Sequence, residues 1–135
     1  MLDTNILVSA ILGGKLSRIL DSWIAGQFIL LVSDDIITEY IKVLNRPKFG
    51  LPQQVVDDII GYLFQKAEFV MPAQGIEIIK DDPDDNKFLA VALAGNAEVI
   101  VSGDQHLLKI GLFQHIEIIN AREFLQLIEG KRWNS

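Results

Sequence analysis

Several features that would point to particular chemistry are missing from this 135-residue chain. It has no cysteine, which excludes disulfides, thiolate metal sites and a cysteine nucleophile. No stretch approaches the roughly 20 apolar residues of a membrane span, and no basic segment precedes an apolar one at the start. We therefore expect a cytoplasmic protein with no membrane segment and no secretory signal.

Positive charge is also scarce. The chain has 12 Lys and Arg against 18 Asp and Glu, which gives a formal net charge of −6 at pH 7. This excess argues against passive, non-specific binding to nucleic acid. The acids are unevenly spread, however, because five of them fall between Glu77 and Asp85. A bound divalent cation would also change the local field, so a nucleic-acid substrate stays open.

The chain does contain an alternation of strand-like apolar runs and helical periodicity, and half of its residues are hydrophobic. Apolar residues recur at helix-face spacing over 16–24, 37–44, 55–63 and 88–93. Short apolar runs of strand length occupy 28–32, 68–71, 99–101 and 116–119. We predict a single α/β domain over residues 1–135, a three-layer α/β/α sandwich with a mostly parallel sheet of about five strands.

Helix boundaries carry signals of their own. Ser33 is a good N-cap for the helix that follows it. Asp82 before Pro83 indicates a helix start with proline at the first helical position. A closing helix is expected over 121–129, with Gly130 as its stop.

Four acidic side chains are placed where parallel α/β folds build sites, beyond the carboxyl ends of strands. Asp3 and Asp104 directly follow strand-like segments, Asp85 lies in the first turn of its helix, and Glu39 lies outside the apolar stripe of its helix. Oxygen ligands of this kind suit Mg²⁺ or Mn²⁺ rather than zinc. We predict that the four carboxylates converge on one cation-binding pocket. Their mutual repulsion should make at least one of them resist ionisation without metal.

Each acid also has a simpler interpretation when it is taken alone. Asp3 is able to cap a turn, Asp104 a helix, and Asp85 contributes favourable charge at a helix N-terminus. Glu39 on a helix is usually a solvated residue. Only the ordered combination of the four favours a metal site.

Four segments carry these acids, namely 2–10, 33–49, 82–89 and 102–108. In this order they resemble the motifs of PIN-domain ribonucleases, specifically the prokaryotic VapC-like group described as toxins of toxin–antitoxin systems. Each motif is weak alone. The ordered match covers nearly the whole chain.

The resemblance implies a PIN-like fold and a metal-dependent endoribonuclease, which hydrolyses phosphodiester bonds in single-stranded RNA through metal-activated water. It further implies Mg²⁺ or Mn²⁺ as cofactor, an RNA substrate, an antitoxin protein as partner, and a homodimer. By the same resemblance, the metal-binding and catalytic acids are Asp3, Glu39, Asp85 and Asp104. The supporting polar positions are Asn5, Ser33 and Ser102.

Two departures from the family pattern keep a second function open. His106 stands where many relatives carry an acid, and only two residues precede Asp3. The first strand is therefore short, or the chain begins later than the natural protein. Both departures are compatible with a catalytically inactive, RNA-binding or regulatory PIN domain.

A third possibility is a phosphoacceptor signalling domain, which also uses an acidic pocket in a parallel α/β sheet. Such a domain would normally need paired aspartates near the first strand end and a lysine after the last strand. Asn120 follows the last strand here. This alternative is therefore disfavoured.

Overall fold

The structure is a computed structural model that describes residues 1–72 and 83–130, without the side chains of 83–85. Within this part, the chain forms seven α-helices, five short strands and two 3₁₀ turns. The helices α1 to α7 are Thr4–Leu12, Ser17–Ile24, Asp34–Leu44, Gln53–Lys66, Pro83–Ala94, Gln105–Leu108 and Ala121–Ile128. The strands β1 to β5 are Leu31–Val32, Glu68–Phe69, Val99–Val101, Leu112–Phe113 and Ile116–Ile119. The 3₁₀ turns are Gly14–Leu16 and Pro47–Phe49.

The strands pair in two small sheets. Strands β1 and β2 form a parallel pair, whereas a second sheet has the order β3-β5-β4. In that second sheet β3 and β5 are parallel, and β4 is antiparallel to β5. Leu2 extends it by a single parallel bridge to Val101. The α/β class is as predicted, and two of the three strand pairs in the described residues are parallel.

The expected single sheet of about five strands is wrong for the described residues. Its first strand, at the start of the chain, is reduced to the bridge at Leu2, because Asp3 already caps α1. Between Leu2 and β1 there is accordingly no ladder in the described part of the chain that would join the two sheets. The apolar run 28–32 also contributes only its last two residues to β1.

The predicted helices are found with small shifts in their bounds. Helix α3 begins after Ser33, and α5 begins at Pro83, although its expected cap Asp82 lies outside the described residues. Helix α7 ends at Ile128 and starts with a capping box between Asn120 and Glu123. Helix α1 and strand β4 were not predicted. The segment that forms α1 has too few polar residues between its apolar ones to show a helical period.

Helix α5 packs closely on β1 because of a glycine at its end. A Cβ atom on Gly95 would lie 2.7 Å from Leu31 Cδ1 and 3.3 Å from Val70 Cγ1. Only a residue without a side chain allows this approach without displacing Leu31. The close approach fixes the position of α5, which carries Asp85 and Lys87 at its other end.

The main core is formed by apolar side chains from the helices and both sheets, and Tyr40 of α3 is fully buried within it. The Tyr40 hydroxyl donates a hydrogen bond of 2.5 Å to the carbonyl oxygen of Leu2. Burial raises the pKa of Tyr40, and the negative charges of Asp3 and Glu39 raise it further. The Tyr40 hydroxyl therefore ties α3 to Leu2, the residue that precedes Asp3.

None of the helices in the described part of the chain has the length and apolar character that crossing a bilayer requires.

Tyr40→Phe should destabilise the protein by about 1–3 kcal/mol, because the buried carbonyl of Leu2 loses its donor. Urea denaturation measures the change. Tyr62→Phe is the matched control, because its half-buried ring packs on Trp23 at 5.4 Å and no hydrogen bond of its hydroxyl is found in the described residues. Equal stability of the two variants would contradict the role given to Tyr40.

Candidate active site

Asp3 lies between Leu2 and the first turn of α1, and only 7% of its surface is exposed. Its Oδ1 accepts a 3.0 Å hydrogen bond from the backbone N–H of Ile6, which makes it the N-cap of α1. Its Oδ2 accepts a hydrogen bond from the Ser102 hydroxyl. The backbone N–H of Asp3 donates to the carbonyl of Val101 at 3.0 Å. The carboxylate is thus fixed against the end of β3.

Burial raises the pKa of the Asp3 carboxyl above its ordinary value. Hydrogen bonds from Ser102, Ile6 and Gly103 oppose this shift, and the charge of Asp104 adds to it. The sequence predicts an acid that resists ionisation, and Asp3 has this property. Desolvation contributes more than repulsion from its acidic neighbour, however.

Asp104 follows β3 by three residues and caps the short helix α6. Its Oδ1 accepts a 2.7 Å hydrogen bond from the backbone N–H of His106. Its own backbone N–H donates to the Ser102 oxygen at 2.9 Å. Ser102 is completely buried and therefore connects Asp3 to the loop that carries Asp104. The His106 ring lies 3.9 Å from the Asp104 carboxylate and is half exposed.

Asp3 and Asp104 line one cavity of about 280 Å³. It lies at the carboxyl end of β3, next to the bridge between Leu2 and Val101. The other lining residues are Thr4, Asn5, Ile6, Ser9, Phe88 and Gly103. The oxygen atoms that could act as metal ligands around this cavity belong to carboxylate, hydroxyl and amide groups. Such a set fits Mg²⁺ or Mn²⁺, which prefer oxygen ligands and keep several waters.

Glu39 of α3 is held beside this cavity by two partners. One carboxylate oxygen accepts a hydrogen bond from the Thr4 hydroxyl, and the other pairs with the Lys87 ammonium. Burial alone would raise the pKa of Glu39, but the hydrogen bonds from Lys87 and Thr4 and the charges of Lys87 and Arg46 outweigh it. The pKa of Glu39 is lowered as a result.

Of the other predicted site residues whose side chains are described, only Asn5 is a lining residue of this cavity. Asn5 lines the cavity and is exposed, whereas Ser33 is buried as the N-cap of α3, with its oxygen 3.3 Å from the Ile36 nitrogen. Asp85 lies in the first turn of α5, and its side chain lies outside the described residues. The convergence of all four acids therefore stays a prediction.

Among the side chains that are described, no group of three His, Asp or Glu residues is close enough to hold a metal ion. Asp3 and Asp104 lie together at the cavity. Glu39 is connected to this cavity through its hydrogen bond with Thr4, which is one of the lining residues. Sequence reasoning missed the roles of Thr4 and Lys87. Both stand within the predicted motifs, one residue after Asp3 and two residues after Asp85, but only the side-chain contacts from α1 and α5 to α3 show that they meet Glu39.

Asp3→Asn should stabilise the metal-free protein at neutral pH. Since the folded state raises the Asp3 pKa above 3.8, folding favours the protonated carboxyl. The free energy of unfolding of the parent therefore falls as the pH rises from about 3.8 through the raised pKa of Asp3. The variant lacks this loss of stability. Thermal melts in chelator from pH 3 to 8 measure the difference, with the exposed Asp21→Asn as control. A variant that is less stable than the parent at pH 7 would contradict this account.

A family model described as PIN domain matches residues 1–106 of the chain, which include Asp3, Glu39, Asp85 and Asp104. Proteins with this domain are generally nucleases, and their fold is of the α/β class. Neither the curated proteins nor the solved structures contain a match to the chain. The matched region spans most of the chain and includes the whole acidic cavity, so the chain belongs to the PIN domain family.

Proposed function

We propose that this chain is a metal-dependent endoribonuclease of the PIN type, acting on single-stranded RNA. The observation that carries the proposal is the cavity shared by Asp3 and Asp104, in which Ser102 holds the Asp3 carboxylate and the Asp104 backbone N–H close to the end of β3. In the proposed site, Glu39 and Asp85 complete the set of acids. The proposal includes one domain over residues 1–135, with helices on both faces of the strands.

The chain's own residues would orient the cation and the substrate. Ser102 fixes the Asp3 carboxylate and the Asp104 backbone, so that both acids keep their positions when charge enters the cavity. Asn5 and Ser9 offer polar groups at the cavity wall where a phosphodiester would lie. A bound Mg²⁺ or Mn²⁺ would supply charge neutralisation and a water of lowered pKa.

The acidic character of the chain fits this proposal only with metal present. Burial already makes the ionised form of Asp3 costly, and the charge of Asp104 adds to that cost. A phosphodiester is repelled by the same charges. A divalent cation offsets both the cost of ionising Asp3 and the repulsion of the phosphodiester, since it favours the ionised carboxylates and attracts the phosphate.

Asp3→Asn and Asp104→Asn should each lower the rate of RNA cleavage by at least about a hundredfold, because loss of even an outer hydrogen-bond partner of a metal ligand costs about 10–100-fold. Ser102→Ala should fall in that smaller range, and Asp85→Asn should also lose cleavage. The measurement is gel analysis of end-labelled single-stranded RNA in Mn²⁺, Mg²⁺ or chelator.

Asp21→Asn is the matched control for these variants, because Asp21 is an exposed aspartate of α2 away from the cavity lining. Cleavage that persists in chelator, or in Asp3→Asn and Asp104→Asn, would overturn the proposal. RNA binding without any cleavage would favour the inactive, RNA-binding PIN domain. One observation supports that second candidate, namely that Glu39 is engaged by Lys87 instead of facing the cavity.

The phosphoacceptor alternative is weakened by the role of Asn120. A signalling domain of that kind would place a lysine after the last strand, whereas Asn120 forms the capping box of α7 with Glu123. The family match also covers residues that the alternative does not explain.

The toxin role and an antitoxin partner are the part of the proposal that is supported by the ordered sequence motifs. Induced expression in a bacterial host is its assay, and growth arrest should disappear with Asp104→Asn. Cytoplasmic location belongs to the same proposal, since that is where its RNA substrate would be met.

We also propose that the chain forms a homodimer. Phe64 and Phe69 stack with ring centroids 5.6 Å apart although they are 59% and 40% exposed, and Met71 is 85% exposed. In the described residues, β2 pairs only with β1, so apolar side chains accompany an unpaired strand edge. Light scattering at micromolar concentration should report a dimer, and Phe64→Glu should shift it toward monomer. A monomeric parent would contradict the proposal.

A further inference from the structure

Lys87 is a cationic group that is bonded to an acid of the candidate site. Its ammonium pairs with one oxygen of Glu39, while the Thr4 hydroxyl occupies the other oxygen. Both side chains of the ion pair are only partly exposed, at 27% for Lys87 and 29% for Glu39. Without metal, the carboxylate of Glu39 is therefore already compensated by the chain itself.

The position of Lys87 places this compensation at the edge of the cavity. Its ammonium lies 5.7 Å from the ring centroid of Phe88, and Phe88 lines the cavity together with Asp3 and Asp104. Thr4, the second partner of Glu39, lines the same cavity. Through Thr4 and Phe88, the ion pair is thus connected to the lining of the cavity that Asp3 and Asp104 share.

Each oxygen of Glu39 already has a partner, and the positive charge of Lys87 opposes the approach of a cation to the same carboxylate. Thr4 is fixed by α1, where it is buried in the first turn. Lys87 has a longer side chain with more rotational freedom, and 27% of that side chain is exposed. The ammonium is therefore the partner that can leave.

We propose that Lys87 is a built-in competitor of the divalent cation, an internal positive charge that occupies Glu39 until metal displaces it. The inference rests on the proposed function, and it assigns Lys87 a positioning role that acts through Glu39. Lys87 would keep the metal-free site folded and would weaken metal binding by the strength of its ion pair. Only a divalent ion, with its higher charge, would compete effectively with this ammonium.

The test measures Mn²⁺ affinity by isothermal titration calorimetry for the parent, Lys87→Met and Lys87→Arg. Lys87→Met should bind Mn²⁺ about threefold to tenfold more tightly, which is the effect of removing one partly exposed ion pair. Lys87→Arg keeps the charge and should bind like the parent. Lys15→Met, at an exposed lysine outside the cavity lining, controls for the loss of one positive charge.

A double-mutant cycle shows whether the effect passes through Glu39. In the Glu39→Gln background, Lys87→Met should change the Mn²⁺ affinity by less than about twofold, since the ion pair is already lost. An undiminished effect there would overturn the inference, because Lys87 would then act by its general field. Unchanged or weaker Mn²⁺ binding by Lys87→Met would overturn it as well.

Thermal melts provide a readout that does not depend on activity. Metal-free Lys87→Met should melt below the parent, because Glu39 loses its partner, and added Mn²⁺ should raise its melting temperature more than that of the parent. Lys87→Gln serves in the same way if the methionine variant folds poorly. A parent that binds no Mn²⁺ would remove the proposed function and this inference together. Mn²⁺ binding that is lost in Asp3→Asn but unaffected by Lys87→Met would overturn the inference alone.

Discussion

The structure around the candidate site depends on the burial of one carboxylate, that of Asp3. Its two oxygens join the first turn of α1 to Ser102, and its backbone joins the same point to Val101 at the end of β3. A polar group in such a position is stable only if its hydrogen bonds replace those of water. The surrounding donors meet this requirement only in part, so burial still raises the pKa of Asp3 above its ordinary value.

Part of the site was predictable from local rules. A carboxylate that directly follows a strand-like apolar segment is expected at a strand end, and parallel strands bring such ends to one edge. This reasoning predicts that Asp3 lies near Asp104, and both residues line the same cavity. Capping chemistry was equally readable for Ser33 and for Pro83 at the first position of α5. These features depend on residues that are neighbours in sequence, so they can be recognised from a single sequence.

The parts that were missed depend on contacts between distant elements. The environment of Glu39 is set by Thr4 and Lys87, which lie 35 and 48 positions away, and no local pattern links the three. The division of the strands into two sheets has the same origin, because a two-residue strand such as β1 pairs according to packing rather than propensity. Strand β4 is equally short, and Leu112 is exposed, so its sequence lacks the apolar run of a buried strand.

The hydrogen bond between Ser102 and Asp3 spans 99 positions of sequence, which has a consequence during synthesis. Contacts of this range close late, because the entropy of joining distant segments has to be offset by the rest of the fold. At about 5–20 residues per second, the chain is several seconds old before Asp104 exists at all. An acidic pair built from both ends of the matched region therefore cannot assemble on a short nascent chain. A chain that is released early would carry Asp3 without the partners that bury it.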